Sequence, residues 1–237
     1  MIVKKPYVLK EIKKLTPLVS SFMFKAQDGT AIDFIPGMFA MLEYRNPETK
    51  ESIARAFSIA NPPPSDELEF LISLIHGRFT SHLDTAKTGD LYYVSAPYGQ
   101  FKFDINSGSK FLFLAGGTGL APFMSMLRMI ENKGQRIDCA MLYSVRYPEE
   151  IIDKAELEEM EQKVGLKTTV TVTRPADGNT WTGEVGHADS TMILRHVPDV
   201  KERSSYICGP PAFVKALKQA LMSLGVEEKD IHAEMWG

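Results

Sequence analysis

Cysteine is almost absent: Cys139 and Cys208 are the only two in 237 residues. Two thiols are too few for a disulfide framework and too few for a four-thiolate cluster. Each lies in an apolar run, so both are expected as reduced core thiols of a cytoplasmic protein. Long hydrophobic runs are missing too. No stretch of eighteen apolar residues exists, so no membrane span is expected. The lysine-bearing start, Met1 to Lys14, leads into no apolar segment of the kind a signal peptide needs. Excess positive charge is lacking: the formal net charge is -3, which argues against a nucleic-acid partner. None of the five histidines falls into a metal-like spacing, so no metal centre is expected; His187 and His196 stand nine apart. What remains is an ordinary globular composition, 44% apolar and 24% charged. The length suits one large domain or two of about 100 to 120 residues each.

Two rhythms divide the chain. Residues 1–103 read as β-rich. Phe22 and Phe24 alternate with polar or small neighbours, as do Leu68, Phe70, Ile72 and Leu74, and Leu91, Tyr93 and Ser95. Turn signals such as Pro36-Gly37, Asn61-Pro62-Pro63-Pro64 and Thr88-Gly89-Asp90 separate these runs. Many short strands with one apolar face predict a small closed antiparallel β-barrel, with a single short helix over Ser81 to Lys87. After Asn106-Ser107-Gly108 the strands become apolar without alternation: Phe111 to Ala115, Cys139 to Tyr143 and Tyr206 to Cys208. The β-branched run Lys167 to Thr173 predicts another. Helical stripes lie between them: Phe123, Leu127 and Ile130; Ile152, Glu156 and Met160; and Phe213, Leu217, Leu221 and Leu224, closed by Gly225. Alternating strands and helices predict an α/β domain with a parallel sheet over residues 109–237.

The run FLFLAGGTGLAPF, Phe111 to Phe123, ends a buried strand in glycines. A Walker loop would need Lys-Ser or Lys-Thr after the last glycine, where Leu120-Ala121 stands. A dinucleotide fingerprint would need a third correctly spaced glycine. Neither label fits, yet the physical content survives. Gly116 and Gly117 let the backbone turn and approach a ligand, Thr118 offers a hydroxyl, and Pro122 suits the first turn of a helix. Such a helix start aims unpaired N–H groups at an anion, here a phosphate; the alternative is a tight turn with no ligand. Tyr206 to Pro211 repeats the design, with Gly209 as the break and Pro210-Pro211 opening a helix. Two strand ends with open backbone on one edge of a parallel sheet predict a nucleotide crevice. There Cys208 either lines the pocket or packs in the core.

Further motifs carry a resemblance. Arg55-Ala56-Phe57-Ser58 resembles the Arg-x-Tyr-Ser signature of the ferredoxin–NADP reductase family of flavoproteins. Gly77-Arg78-Phe79-Thr80-Ser81, followed by Leu83 and Gly89-Asp90, is similar to its flavin phosphate loop. Gly117-Thr118-Gly119-Leu120-Ala121-Pro122 and Cys208-Gly209-Pro210 resemble its two nicotinamide-dinucleotide motifs. Glu234-Met235-Trp236-Gly237 resembles its closing acidic-x-aromatic element. The motifs keep the family's order. The resemblance implies an FAD-binding barrel over 1–103 followed by an NAD(P)-binding domain over 109–237.

By that resemblance, Arg55 pairs with the FAD pyrophosphate, a task for which a guanidinium fork is suited. Phe57 packs on the flavin with its apolar face but lacks the hydroxyl of the family's tyrosine. Ser58 lies near flavin N5. Gly77, Thr80 and Ser81 hold the flavin phosphates, and Gly117, Thr118, Gly119, Gly209 and Pro210 hold the dinucleotide. Cys208 sits beside the nicotinamide, Glu234 is a candidate active-site carboxylate, and Trp236 covers a flavin face or anchors the tail. Ser144, Arg146 and Arg174 are candidates for the 2′-phosphate of NADPH, and Glu149 or Glu150 for the ribose of NADH. Arg146 can equally pair with either glutamate; the expectation leans to NADPH. The implied reaction moves electrons from NADPH or NADH through FAD to a separate acceptor, a 2Fe–2S ferredoxin or an oxygenase component, from a monomer. The alternatives are a free-flavin or ferric reductase and a non-catalytic nucleotide-binding module.

Overall fold

The structure, a computed structural model, describes residues 1–75, 77–175 and 180–236. The chain forms two compact units, one of Met1–Phe103 with Met124–Met129, the other of Asp104–Phe123 with Ile130–Gly237.

In the first unit, strands β1 (Val3–Lys14), β2 (Val19–Ala26), β3 (Phe39–Arg45), β4 (Ser52–Ser58), β5 (Glu67–Ser73) and β6 (Leu91–Tyr98) form one antiparallel sheet. The strand order is β4-β3-β6-β1-β2-β5. Alternation selects the inward face: Tyr7 and Leu9, Phe22 and Phe24, Ala40 and Leu42, Leu68, Phe70 and Ile72, and Tyr92, Val94 and Ala96 form one buried core. On β6 the Leu91, Tyr93 and Ser95 set is therefore the outward face.

The expected closed barrel is an open one. β4 and β5 are the two ends of the hydrogen-bonded order. Side chains fill the seam between them: the Phe57 ring lies 6.2 Å from Phe70 and 5.7 Å from Phe79 of helix α1 (Arg78–Leu83). That helix begins three residues earlier than Ser81 and ends before Lys87. The reason is packing. Phe79 and Leu83 are one helical turn apart and both enter the core, so the helix must include them. Gly77 is its N-cap, and the Thr80 hydroxyl accepts from the Gly77 N–H at 2.9 Å.

The second unit carries β7 (Lys110–Gly116), α2 (Ala121–Asn132), β8 (Asp138–Val145), α3 (Lys154–Lys163), β9 (Leu166–Val172) and β10 (Glu184–Val185). It continues with α4 (Ser190–His196), β11 (Ser204–Gly209), α5 (Pro211–Ser223) and β12 (Ile231–Met235). Its sheet is parallel throughout, in the order β10-β9-β8-β7-β11-β12. Strands β7, β8 and β11 are buried on both faces, which explains their unbroken apolar sequence. In α2, Phe123, Leu127 and Ile130 are fully buried, and Leu217 and Leu221 of α5 pack in the sheet core with Phe213 and Leu224 at its margin. The stripe of α3 differs from the expected one. Ile152 precedes the helix, and the buried residues are Leu157 and Met160 rather than Glu156.

Candidate functional site

In the first unit, β4 and α1 bring the two flavin motifs together. The Phe57–Phe79 contact joins them, a role the expected residue set omits; the four-residue spacing from Phe79 to Leu83 was the signal for it. Phe57 is half-buried and packs into the barrel core. Arg55, two residues earlier on the same face of the strand, is exposed, and among the described residues its guanidinium donates only to the Ala54 carbonyl, at 3.0 Å. A guanidinium has five N–H donors, so most of the fork is open to an anion. The Ser58 and Ser81 hydroxyls make no hydrogen bond among the described residues. Thr80 is different: its hydroxyl is committed to the backbone of Ile75 and Gly77. Of the two phosphate-loop hydroxyls, Ser81 is the one free to bind. Arg55, the Ser81 hydroxyl and the exposed Gly77 backbone are groups of a kind that suits a diphosphate.

In the second unit, the chain runs outward from β7 through β8 and β9 to β10, then returns to β11 on the other side of β7. The order reverses between β7 and β11, and both glycine motifs lie at the carboxyl ends of those two strands. Their approach is too close for side chains. A Cβ on Gly119 would lie 2.2 Å from the Cys208 carbonyl oxygen, and one on Gly209 would lie 3.3 Å from the Gly116 Cα. Gly117 adopts φ +55° with open space where a Cβ would be. The Gly117–Leu120 segment is a single 3-10 turn, so the first α-helical residue is Ala121 and Pro122 is second. The Thr118 side chain is half-buried and makes no hydrogen bond among the described residues. Pro210 caps α5, with Pro211 as its first residue.

The chain's tail forms the neighbouring strand. Register pairs Cys208 with Glu234 and Gly209 with Met235, and the Trp236 N–H donates to the Gly209 carbonyl at 3.2 Å. The tail therefore stands at the crevice, with the Trp236 indole partly exposed; Gly237 lies outside the described residues. Cys208 is fully buried. Burial, reinforced by the charge of Glu234, pushes its thiol up, away from the nucleophilic thiolate. Burial likewise raises the Glu234 carboxyl. At the next strand end, Arg146 pairs with Glu150, while the exposed Arg174 side chain has no partner among the described residues. Among the described residues, no three His, Cys, Asp or Glu side chains are placed to hold a metal ion, and no helix is long and apolar enough to cross a membrane.

The sequence matches the models of two domains, an oxidoreductase FAD-binding domain over residues 6–103 and an oxidoreductase NAD-binding domain over residues 113–219. Glycine betaine monooxygenase reductase subunit of Chromohalobacter salexigens is 32% identical over 225 residues, covering 92% of this chain and 60% of that protein. The chain thus spans about 60% of the length of the first curated relatives it matches. Among solved structures, the FAD/NAD-binding domain of nitric oxide dioxygenase from Vibrio cholerae superposes with a TM-score of 0.89, at 20% identity and 98% coverage of both chains. A ferredoxin NADP+ reductase from Neisseria gonorrhoeae with bound FAD and NADP gives a TM-score of 0.79, at 22% identity, covering 99% of this chain and 98% of that one. With both domains in order and the two-unit fold in common, the chain belongs to the ferredoxin–NADP reductase-like family of FAD- and NAD-binding oxidoreductases.

Proposed function

We propose that the chain is an NAD(P)H-dependent flavoprotein reductase, a monomer that passes electrons from NAD(P)H through FAD to a separate carrier such as a 2Fe–2S ferredoxin or an oxygenase component. The observation that carries this reading is that each unit has a ligand site of its own, a flavin-phosphate donor set in one and a glycine-built crevice at the sheet's switch point in the other. Arg55 and Ser81 bind the FAD diphosphate, Gly77 lets the backbone approach it, and Thr80 shapes the loop by capping. Ser58 offers its free hydroxyl to the flavin ring. Thr118 and the backbone from Gly117 to Gly119 hold the dinucleotide pyrophosphate, with Gly209 and Pro210 forming the other wall. Cys208, kept as a neutral thiol, shapes the nicotinamide pocket and excludes water from it. FAD held by these residues would supply the hydride acceptor and the means to turn a two-electron donor into a one-electron source. With only two cysteines, both buried, these 237 residues hold no four-thiolate set, so the electrons leave to a carrier outside them. The monooxygenase reductase subunit among the relatives supports a separate acceptor.

An absorption spectrum of the purified chain, then anaerobic addition of NADH or NADPH, tests the proposal. A yellow protein with about one FAD per chain that bleaches on nucleotide addition is the expected result. A colourless chain that reduces only added flavin would make flavin a substrate, and a bound flavin that never bleaches would leave a nucleotide-binding module.

A further inference from the structure

The carboxyl ends of β8 and β9 carry four charged side chains that the proposed function leaves open: Arg146, Arg174, Glu149 and Glu150. Arg146 follows β8 by one residue. Its guanidinium donates to Glu150 from Nε at 3.1 Å and from Nη2 at 2.6 Å, and its backbone N–H donates to the same carboxylate at 3.2 Å. The Glu150 side chain is only 15% exposed, against 50% for Arg146, so the carboxylate is the seated partner and the arginine is drawn to it. The Pro148–Glu150 turn fixes that seat, with the Glu150 N–H donating to the Tyr147 carbonyl at 3.0 Å. Arg174 lies beside Arg146, its N–H donating to the Arg146 carbonyl at 2.8 Å. Two positive and two negative groups sum to zero at this edge.

The next step rests on the nucleotide reading above. If the pyrophosphate lies at Gly117–Gly119 with the nicotinamide towards β11, the adenosine half extends the other way, over the end of β8 and towards β9. Those strands are neighbours at about 4.8 Å spacing. The adenosine ribose carries a 2′-phosphate dianion in NADPH and a hydroxyl in NADH. A dianion needs net positive charge, whereas a ribose hydroxyl needs an acceptor. A two-point Arg–carboxylate pair occupies the fork that would grip the phosphate and cancels its charge. We infer that Glu150 is the specificity-determining residue: by holding Arg146, it removes the advantage that a 2′-phosphate would give NADPH, so this edge does not favour NADPH over NADH. The sequence left Arg146 open between a phosphate and either glutamate, and the fold pairs it with Glu150.

Calorimetric binding of two fragments, 5′-AMP and adenosine 2′,5′-bisphosphate, tests the inference without relying on turnover. The unaltered chain is expected to bind them within about threefold of one another, and Glu150→Gln to tighten the bisphosphate alone by about tenfold. Adding Arg146→Ala to Glu150→Gln should abolish that gain. The ratio of kcat/KM for NADPH to that for NADH should rise in Glu150→Gln by a similar factor. An unaltered chain that binds the bisphosphate more than tenfold tighter than 5′-AMP overturns the inference before any variant is made. So does a folded Glu150→Gln whose two affinities match those of the unaltered chain. Failure of both fragments and both dinucleotides to bind any form would instead remove the nucleotide site itself, a result distinct from unchanged selectivity.

Discussion

At the scale of single residues, the crevice is made by side chains that are not there. Gly119 and Gly117 are both glycines of one loop, yet they are required for different reasons. At Gly119 the obstacle is another backbone, since a methyl group there would overlap the Cys208 carbonyl and the Gly209 nitrogen. At Gly117 it is conformation alone, because φ is +55° and nothing stands within 4 Å of the added carbon. Gly117→Ala is therefore expected to cost about 1 kcal/mol, the ordinary price of a left-handed non-glycine residue. Gly119→Ala should cost about 3 kcal/mol or more by forcing β7 and β11 apart at their ends. Urea unfolding of the two variants side by side checks this, and equal losses would mean that the close approach is not rigid. Both glycines were visible in the sequence. The difference between them was not, because β11 lies some ninety residues further along the chain.

At the scale of elements, one short helix and one charged clamp show what periodicity misses. Helix α1 is seated by Phe79 and Leu83 and also by His82, whose ring stacks on Tyr44 at 3.5 Å and shares a 3.0 Å hydrogen bond with the Tyr92 hydroxyl. Two strands, the distant β3 and the β6 that follows the helix, thus decide where the helix lies. At the amino edge of the parallel sheet, the Arg203 side chain is 7% exposed and ties three segments together. It donates to both Asp199 carboxylate oxygens, to the Phe111 carbonyl and to Asp138. Hydrogen bonds from Arg203 and then Lys110 hold the Asp199 carboxyl well below the usual carboxylate range. A carboxyl depressed by folding contributes stability above its unfolded value, and that contribution is lost as pH falls towards the folded one. Stability is accordingly expected to decline below about pH 4 in the unaltered chain, and less steeply in Asp199→Asn. Arg203→Met should cost about 3 kcal/mol at neutral pH by leaving Asp138 without its ion pair and Asp199 with Lys110 alone. Denaturant titrations from pH 7 down to pH 3 measure both effects. Parallel acid profiles for the unaltered chain and Asp199→Asn would show that the clamp is not the acid-sensitive element.

At the scale of the whole molecule, each unit carries its own ligand chemistry, so each should respond to its own ligand. A ligand that binds only the folded form stabilises what it touches. In the chain stripped of flavin, added FAD is expected to slow amide exchange in β4 and α1, and 5′-AMP to slow it in the Gly117–Leu120 turn and the end of β8. Hydrogen exchange read by mass spectrometry distinguishes the two patterns; protection of β4 by 5′-AMP alone would contradict the assignment of the two sites. Charge on the first unit is also more balanced than the lysine-rich start suggests. Lys4 pairs with Glu43, Lys5 with Asp28 at 3.0 Å and Lys10 with Glu67 at 2.6 Å. These pairs weaken any long-range attraction of β1 for an acidic carrier.

The two rhythms were legible in the order of residues alone, because alternation and unbroken apolar runs report whether a strand is covered on one face or on two. Also legible there was which motifs exist and in what order, since Arg55, Gly77, Gly117 and Cys208 stand in short runs whose spacing is local. Which of these groups are available was set by the fold. Thr80 and Arg146 resemble ligand-binding residues as strongly as Ser81 and Arg55 do, but Thr80 is committed to its own loop and Arg146 to Glu150. A hydrogen-bonding group serves a ligand only where the fold has left it without a closer partner, and that depends on distances between residues rather than on their order.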